Sequence, residues 1–152
     1  MSVYRRILLV VDLSDESLVV GRRAVEVAAL TGARVEVLHV FEFVPVEPMG
    51  ETLMPAAEIE QELLERAKQR LHDMARDLGL QDAELTVEAG NVKSEILRVA
   101  RGRGSDLIVI GSRERHGMSI LVNLTEDTVL HGAPCDVLAV RIGNTARPAP
   151  AS

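Results

Sequence analysis

The sequence predicts a single α/β domain: a five-stranded parallel sheet with helices on both faces. Three observations carry this. The chain has 152 residues, an ordinary length for one domain. Five short apolar runs punctuate it, three of them almost continuously apolar, as strands covered on both faces should be. Between the runs, apolar residues recur at helical spacing. Strands alternating with helices give one parallel sheet with right-handed crossovers.

The first strand is ILLVV, residues 7–11. Ser14 or Asp15 can then cap a helix to about Thr31, whose apolar positions Leu18, Val19, Val25, Ala28 and Ala29 recur at helical spacing and which stops at Gly32. RVEVLHV, residues 34–40, is the second strand. A long connection with three prolines, FEFVPVEPMGETLMP, precedes a helix over about 56–78. Its apolar positions are Ile59, Leu63, Leu64, Ala67, Leu71, Met74, Ala75 and Leu78, and its Glu, Arg and Lys residues read as a solvated face. ELTVEA, Glu84–Ala89, alternates and reads as a more exposed strand. A short helix over 92–103 turns Ile96, Leu97 and Ala100 inward. DLIVI, residues 106–110, is the fourth strand, and a helix over about 119–131 ends at Gly132, before Pro134. DVLAVRI, Asp136–Ile142, closes the domain, which spans 1–143. The Pro- and Ala-rich segment 144–152 reads as a disordered tail.

Composition removes several classes of function. Aromatic residues are 2% of the chain, too few for a base-stacking surface, and the net charge of −6 opposes nucleic acid as a partner. Hydrophobic residues at 47% suffice for an aliphatic core without disulfides. The one cysteine, Cys135, fits a reducing compartment and reads either as a small core residue or as a reactive thiol. The first apolar run is too short for a signal peptide, and none approaches the roughly 20 residues of a membrane span. The cytoplasm is the expected location, with no membrane partner.

Ligands of such sheets sit beyond the carboxyl ends of the strands, where the strand order reverses. Asp12, in VDLSDES, can meet a ligand's polar edge there or order its own turn. Gly90, in EAGNVKSEIL, permits a tight turn, and Lys93 either meets an anion or is exposed. In GSRERHGMSILVNLTEDTVL, Gly111 would let the backbone approach a ribose or phosphate, with Arg113, Arg115 and His116 offering positive charge. No catalytic constellation is visible. His39, His72, His116 and His131 lack metal-ligand spacing, and His39 reads as a hydrogen-bonded strand histidine. Neither a nucleophile elbow nor a lysine-bearing phosphate loop is present.

Over nearly its whole length the chain resembles the universal stress protein family, the UspA-like domain. The resemblance rests on VDLSDES, VEVLHVFE, GNVKSEIL, DLIVIGSRERHG and VLHGAPCDVLAVR. It implies a Rossmann-like five-stranded sheet, a homodimer paired through Asp136–Ile142, and, in many members, ATP held by Gly, two residues, Gly, eight or nine residues, then Gly-Ser/Thr. Laid on this chain, the first glycine is Gly111. The second falls on Glu114, the third on Asn123, the hydroxyl position on Leu124 and the next small polar residue on Thr125. The nucleoside positions implied by the family are Val11, Asp12, Val40, Ile110 and Gly111, all of suitable type. The phosphate positions depart from the pattern three times.

A carboxylate near a phosphate and a lost hydroxyl together cost roughly 2–5 kcal/mol. About 1.4 kcal/mol is a factor of ten, so micromolar ATP binding would become millimolar or vanish. Arg113 and Arg115 can offset this or pair with Glu114 and Glu126. The expectation is a homodimeric stress-response protein, regulatory or protective, holding ATP or AMP weakly if at all and acting on protein partners the sequence does not name. The alternative is an ATP- or AMP-binding switch. Slow nucleotide hydrolysis is a weaker possibility, because Asp12 is the only visible general base and no metal cage accompanies it.

Overall fold

The structure, a computed structural model, describes residues 2–42, 56–113 and 129–143. Along them run β1 (Arg6–Val10), α1 (Ser17–Thr31), β2 (Arg34–Phe41), α2 (Ala56–Asp77), β3 (Glu84–Ala89), α3 (Val92–Arg103), β4 (Leu107–Arg113) and β5 (Asp136–Ile142). Residues 129–132 are helical, the described end of the fourth predicted helix. The rest of that helix, the long connection after β2 and the C-terminal tail lie outside the described residues.

The strands form one parallel sheet in the order β3-β2-β1-β4-β5. β1, in the middle, is buried beyond Arg6, whereas β3 at one edge is half-exposed along most of its length. The alternating pattern read in ELTVEA is thus the pattern of an edge strand. β5 occupies the other edge, with Ala139 and Arg141 exposed.

Successive side chains of a strand point to opposite faces, so each strand feeds two cores. Ile7, Leu9 and Val11 join Val35, Val37, Val109 and Ile142 under α1 and α2. Leu8 and Val10 join Leu38, Ile108 and Ile110 under α3 and Val129. The chain steps outward from β1 to β3 and then crosses back to β4. With crossovers of one hand, that reversal carries α3 to the opposite face from α1 and α2. Leu9, Leu38 and Ile108 are fully buried, and each such side chain stabilises the fold by about 1.5–3 kcal/mol.

Three local details differ from the sequence reading. β1 ends one residue early. The Val11 amide still donates to Leu38 O (3.0 Å), but the Val11 carbonyl turns to the His39 ring instead of extending the ladder. The first helix starts at Ser17 with Glu16 at its N-cap and no side-chain cap. The carbonyls of Ser14 and Asp15 accept from the Ser17 and Leu18 amides instead. β4 runs on past 110, because Gly111, Ser112 and Arg113 keep parallel register with Val140, Arg141 and Ile142.

Candidate functional site

The strand order reverses between β1 and β4, and a cleft of ≈ 270 Å³ opens at their carboxyl ends. Among the described residues its walls are Val10, Val11 and Asp12 from β1 and the turn after it, Ser17 and Val20 from α1, Val40 from β2, Val92 and Ile96 from α3, Ile110 and Gly111 from β4, and Ile142 from β5. Val11, Asp12, Val40, Ile110 and Gly111, the positions expected to meet a nucleoside, are therefore brought together. Glu114, Asn123, Leu124 and Thr125 lie outside the described residues, as do Arg115 and His116. Ser17, Val20, Val92, Ile96 and Ile142 were not foreseen. Ser17 sits within the quoted VDLSDES motif, whereas nothing local to the sequence marks Ile142.

The cleft is chemically lopsided. Its described walls are aliphatic apart from Ser17, Asp12 and the main chain, and the only ionisable side chain among them is the Asp12 carboxylate. Such a surface suits a flat apolar body whose polar edge meets backbone groups. The Asp12 carboxylate also orders its own turn, so both readings of this residue stay compatible with its geometry. Its Oδ1 accepts from the Ser14 amide (2.9 Å), the Ser14 hydroxyl (2.6 Å) and the Ser17 hydroxyl (2.6 Å). The Asp12 amide donates back to Ser17 Oγ (3.1 Å).

The main chain of this turn is strained. Leu13 is buried with φ 66°, a left-handed conformation that costs a branched L-residue about 1–2 kcal/mol. Two side chains from elsewhere hold it. Arg70 Nη2, from α2, donates to Leu13 O (2.7 Å). Arg70 is exposed on the solvated face assigned to α2, and its guanidinium also reaches across to this turn. His39 Nδ1 lies 2.8 Å from Val11 O, and because a carbonyl only accepts, Nδ1 carries the hydrogen. Burial holds the His39 pKa below its ordinary value, against the opposing pull of the Val11 carbonyl and Asp12, with Arg70 adding to the depression.

Gly111 lies inside β4 rather than opening the loop. A Cβ there would sit 2.9 Å from Ile142 Cδ1 and 3.1 Å from Val20 Cγ2, so the glycine lets β5 and α1 close on the cleft floor. At the opposite wall, Gly90 has φ 153° and donates to Phe41 O (3.0 Å), turning the chain sharply into α3. Asn91 caps that helix by accepting from the Ser94 amide (3.0 Å), and Glu42 Oε1 accepts from the Val92 amide (3.2 Å). Lys93 is partly exposed.

Cys135 is half-buried against the α3-side core, and burial, with Asp106 and Asp136 nearby, pushes its thiol pKa up. That environment disfavours the thiolate and supports the reading of a core residue. Among the described residues no cluster of His, Cys, Asp and Glu could hold a metal ion, and no helix is long and apolar enough to cross a membrane.

Comparison with known proteins agrees with this architecture. Universal stress protein A homolog 2 of Coxiella burnetii is 37% identical over 145 residues, covering 93% of this chain and 98% of that protein. The structure of the universal stress protein UspA from Lactobacillus plantarum superposes with a TM-score of 0.73 at 23% identity, covering 91% of this chain and 98% of that one. The universal stress protein from Archaeoglobus fulgidus in complex with dAMP superposes with a TM-score of 0.59 at 23% identity, with coverages of 91% and 98%. Residues 3–141 match the model of the universal stress protein family. With the sheet order, the cleft and the sequence in agreement, the chain belongs to the universal stress protein family.

Proposed function

We propose that this chain is a homodimeric regulatory or protective protein of the stress response whose cleft takes the nucleoside part of an adenine nucleotide weakly and does not hold ATP tightly. One observation carries the reading. The described walls offer an apolar slot beside the Asp12 carboxylate, which suits the nucleoside part of a nucleotide. Asp12 suits a ribose hydroxyl, since a carboxylate accepts such a bond strongly. Glu114, Asn123 and Leu124 stand where the family's nucleotide-binding pattern has small residues, which adds to the case. In this reading the protein is not an enzyme and acts through partners.

A specific observation favours the alternative, an ATP- or AMP-binding switch: the Archaeoglobus fulgidus relative was solved in complex with dAMP. Denaturing the purified protein and chromatographing the supernatant separates the two. The proposed reading expects no stoichiometric nucleotide, whereas an equimolar adenine nucleotide favours the switch. Phosphate release from Mg·ATP above the uncatalysed background would add hydrolysis.

The dimer reading draws on the contrast between the sheet edges. β3 carries Glu84 and Glu88, charges that blunt an edge, while β5 keeps its charges to Asp136 and Arg141, exposes Ala139 between them and has no proline or lysine. Antiparallel pairing of Asp136–Ile142 with its copy would close at two subunits. Sedimentation at tens of micromolar, a range chosen to favour a moderate-affinity pair, should give a dimer. A monomer of 16.5 kDa would refute it. Ala139→Pro should dissociate the pair without unfolding the sheet.

A further inference from the structure

The turn between β1 and α1 carries the only ionisable side chain among the described cleft walls, and its main chain is anchored on both sides of that residue. His39 donates to the carbonyl just before Asp12, and Arg70 donates to the carbonyl just after it. The donors come from different elements, β2 and α2, and neither residue is among the described lining of the cleft. Between the two anchored carbonyls lies the left-handed Leu13, a conformation that persists only when its surroundings over-determine it. The Asp12 carboxylate also accepts from Ser14 within the turn and from Ser17 at the start of α1.

We propose that His39 and Arg70 are positioning residues for the cleft: they lock the main chain on either side of Asp12 and so set where its carboxylate points. The proposal deepens the weak-nucleoside reading and rests on it for the nature of the ligand, but the locking of the turn stands apart from any ligand. The geometry also defines the active tautomer, with the hydrogen on Nδ1. An asparagine at 39 can place its amide nitrogen near the position of Nδ1. Phenylalanine keeps the ring volume and loses the donor. At position 70, leucine keeps much of the stem and loses the guanidinium.

Amide hydrogen exchange on the full chain tests the lock, read at Asp12, Ser14 and Ser17 against the β1 amides of Leu8 and Leu9. His39→Phe should speed exchange in the turn by about tenfold with the strand amides unchanged, the effect of losing one buried hydrogen bond on a local opening, and Arg70→Leu, whose bond is partly buried, should speed it by a smaller but measurable factor. His39→Asn should restore slow exchange, a rescue that a generic packing defect would not show. Adenosine titration on the same samples should weaken in step with the exchange. If His39→Phe unfolds, Arg70→Leu and the His39→Asn rescue still decide the question. Turn amides unchanged in the variants, turn and strand amides accelerated together, or adenosine affinity unaffected by a loosened turn would each overturn the proposal. A wild-type protein that binds no adenosine at millimolar concentration would instead sink the nucleoside reading and leave exchange alone to judge the lock.

Discussion

The two ends of the sheet are built from the same strands and closed by opposite chemistry. At the amino-terminal end, charged side chains and main-chain groups lock the strands together. Asp106 accepts from the Arg5 and Arg6 amides (2.8 and 3.0 Å), and Arg6 donates to Arg103 O (2.8 Å). Arg103 joins β2 and β3 by pairing with Glu84 (2.5 Å), donating to Thr86 (2.9 Å) and facing the buried Glu36 at 3.9 Å. At the carboxyl-terminal end the described walls around the switch point are aliphatic, with a cleft and one carboxylate. The lesson is a division of labour. Ionic contacts at one end hold the sheet, and the other end is free to be shaped by a strained turn. The helix dipoles agree with this layout, since a parallel sheet points helix amino-termini toward its carboxyl end.

The largest test of that contrast is Arg103→Leu. Glu36 and Glu84 are register partners on adjacent strands, and Glu36 is only 5% exposed. Its Oε2 has no hydrogen-bond partner among the described residues, so removing Arg103 would strip the remaining compensation from a buried carboxylate. The expected loss is about 3 kcal/mol in urea unfolding, at the low end for a broken buried pair because Arg103 is partly exposed. Adding Glu36→Gln should recover more than half of it. An Arg103→Leu protein as stable as wild type would mean that this end is not held by charge.

Gly111→Val tests the other end with a smaller cost. Its new methyls would crowd Ile142 and Val20, costing about 1–3 kcal/mol as overpacking and closing the cleft. Stability should fall moderately while adenosine binding disappears. Binding that survives in a folded Gly111→Val protein would place the ligand elsewhere.

The smallest effect is a pH dependence of stability. His39 titrates below its ordinary 6.5 in the fold, chiefly because it is buried. As acid is added, the unfolded chain therefore takes up the proton first. The stability this residue contributes is present above the ordinary value and is lost as pH falls through it toward the depressed native value. Urea midpoints at about pH 5 and about pH 7.5 should differ less in His39→Phe than in wild type. An equal difference in both proteins would assign the acid sensitivity to other groups.

Much of the fold was legible because burial leaves a period in the sequence. The runs ILLVV, RVEVLHV and DLIVI read as covered strands, and the alternation of ELTVEA marked a more exposed strand, which the sheet places at an edge. Val11, Asp12, Val40, Ile110 and Gly111 were singled out by the family resemblance, and the structure brings them to one cleft because strand ends converge where the order reverses. The missed features are non-local. Arg70 shares its helix with exposed Glu65 and Lys68, and no pattern on that helix distinguishes the guanidinium that reaches back across 57 residues to Leu13. A left-handed leucine leaves no compositional trace either. β4 outran its predicted end because register with β5, not apolar content, decides where a ladder stops.

If the substitutions on the phosphate side are what weaken ATP, then Glu114→Gly with Asn123→Gly and Leu124→Ser should tighten binding by at least about tenfold, part of a 2–5 kcal/mol penalty. No gain in a folded triple variant would locate the obstacle elsewhere. The most direct test of the central claim is calorimetric titration of the wild-type chain with Mg·ATP. It should give no dissociation constant tighter than about 100 μM, the weakening that follows from a loss of several kcal/mol. A low-micromolar dissociation constant at one nucleotide per chain would contradict that claim.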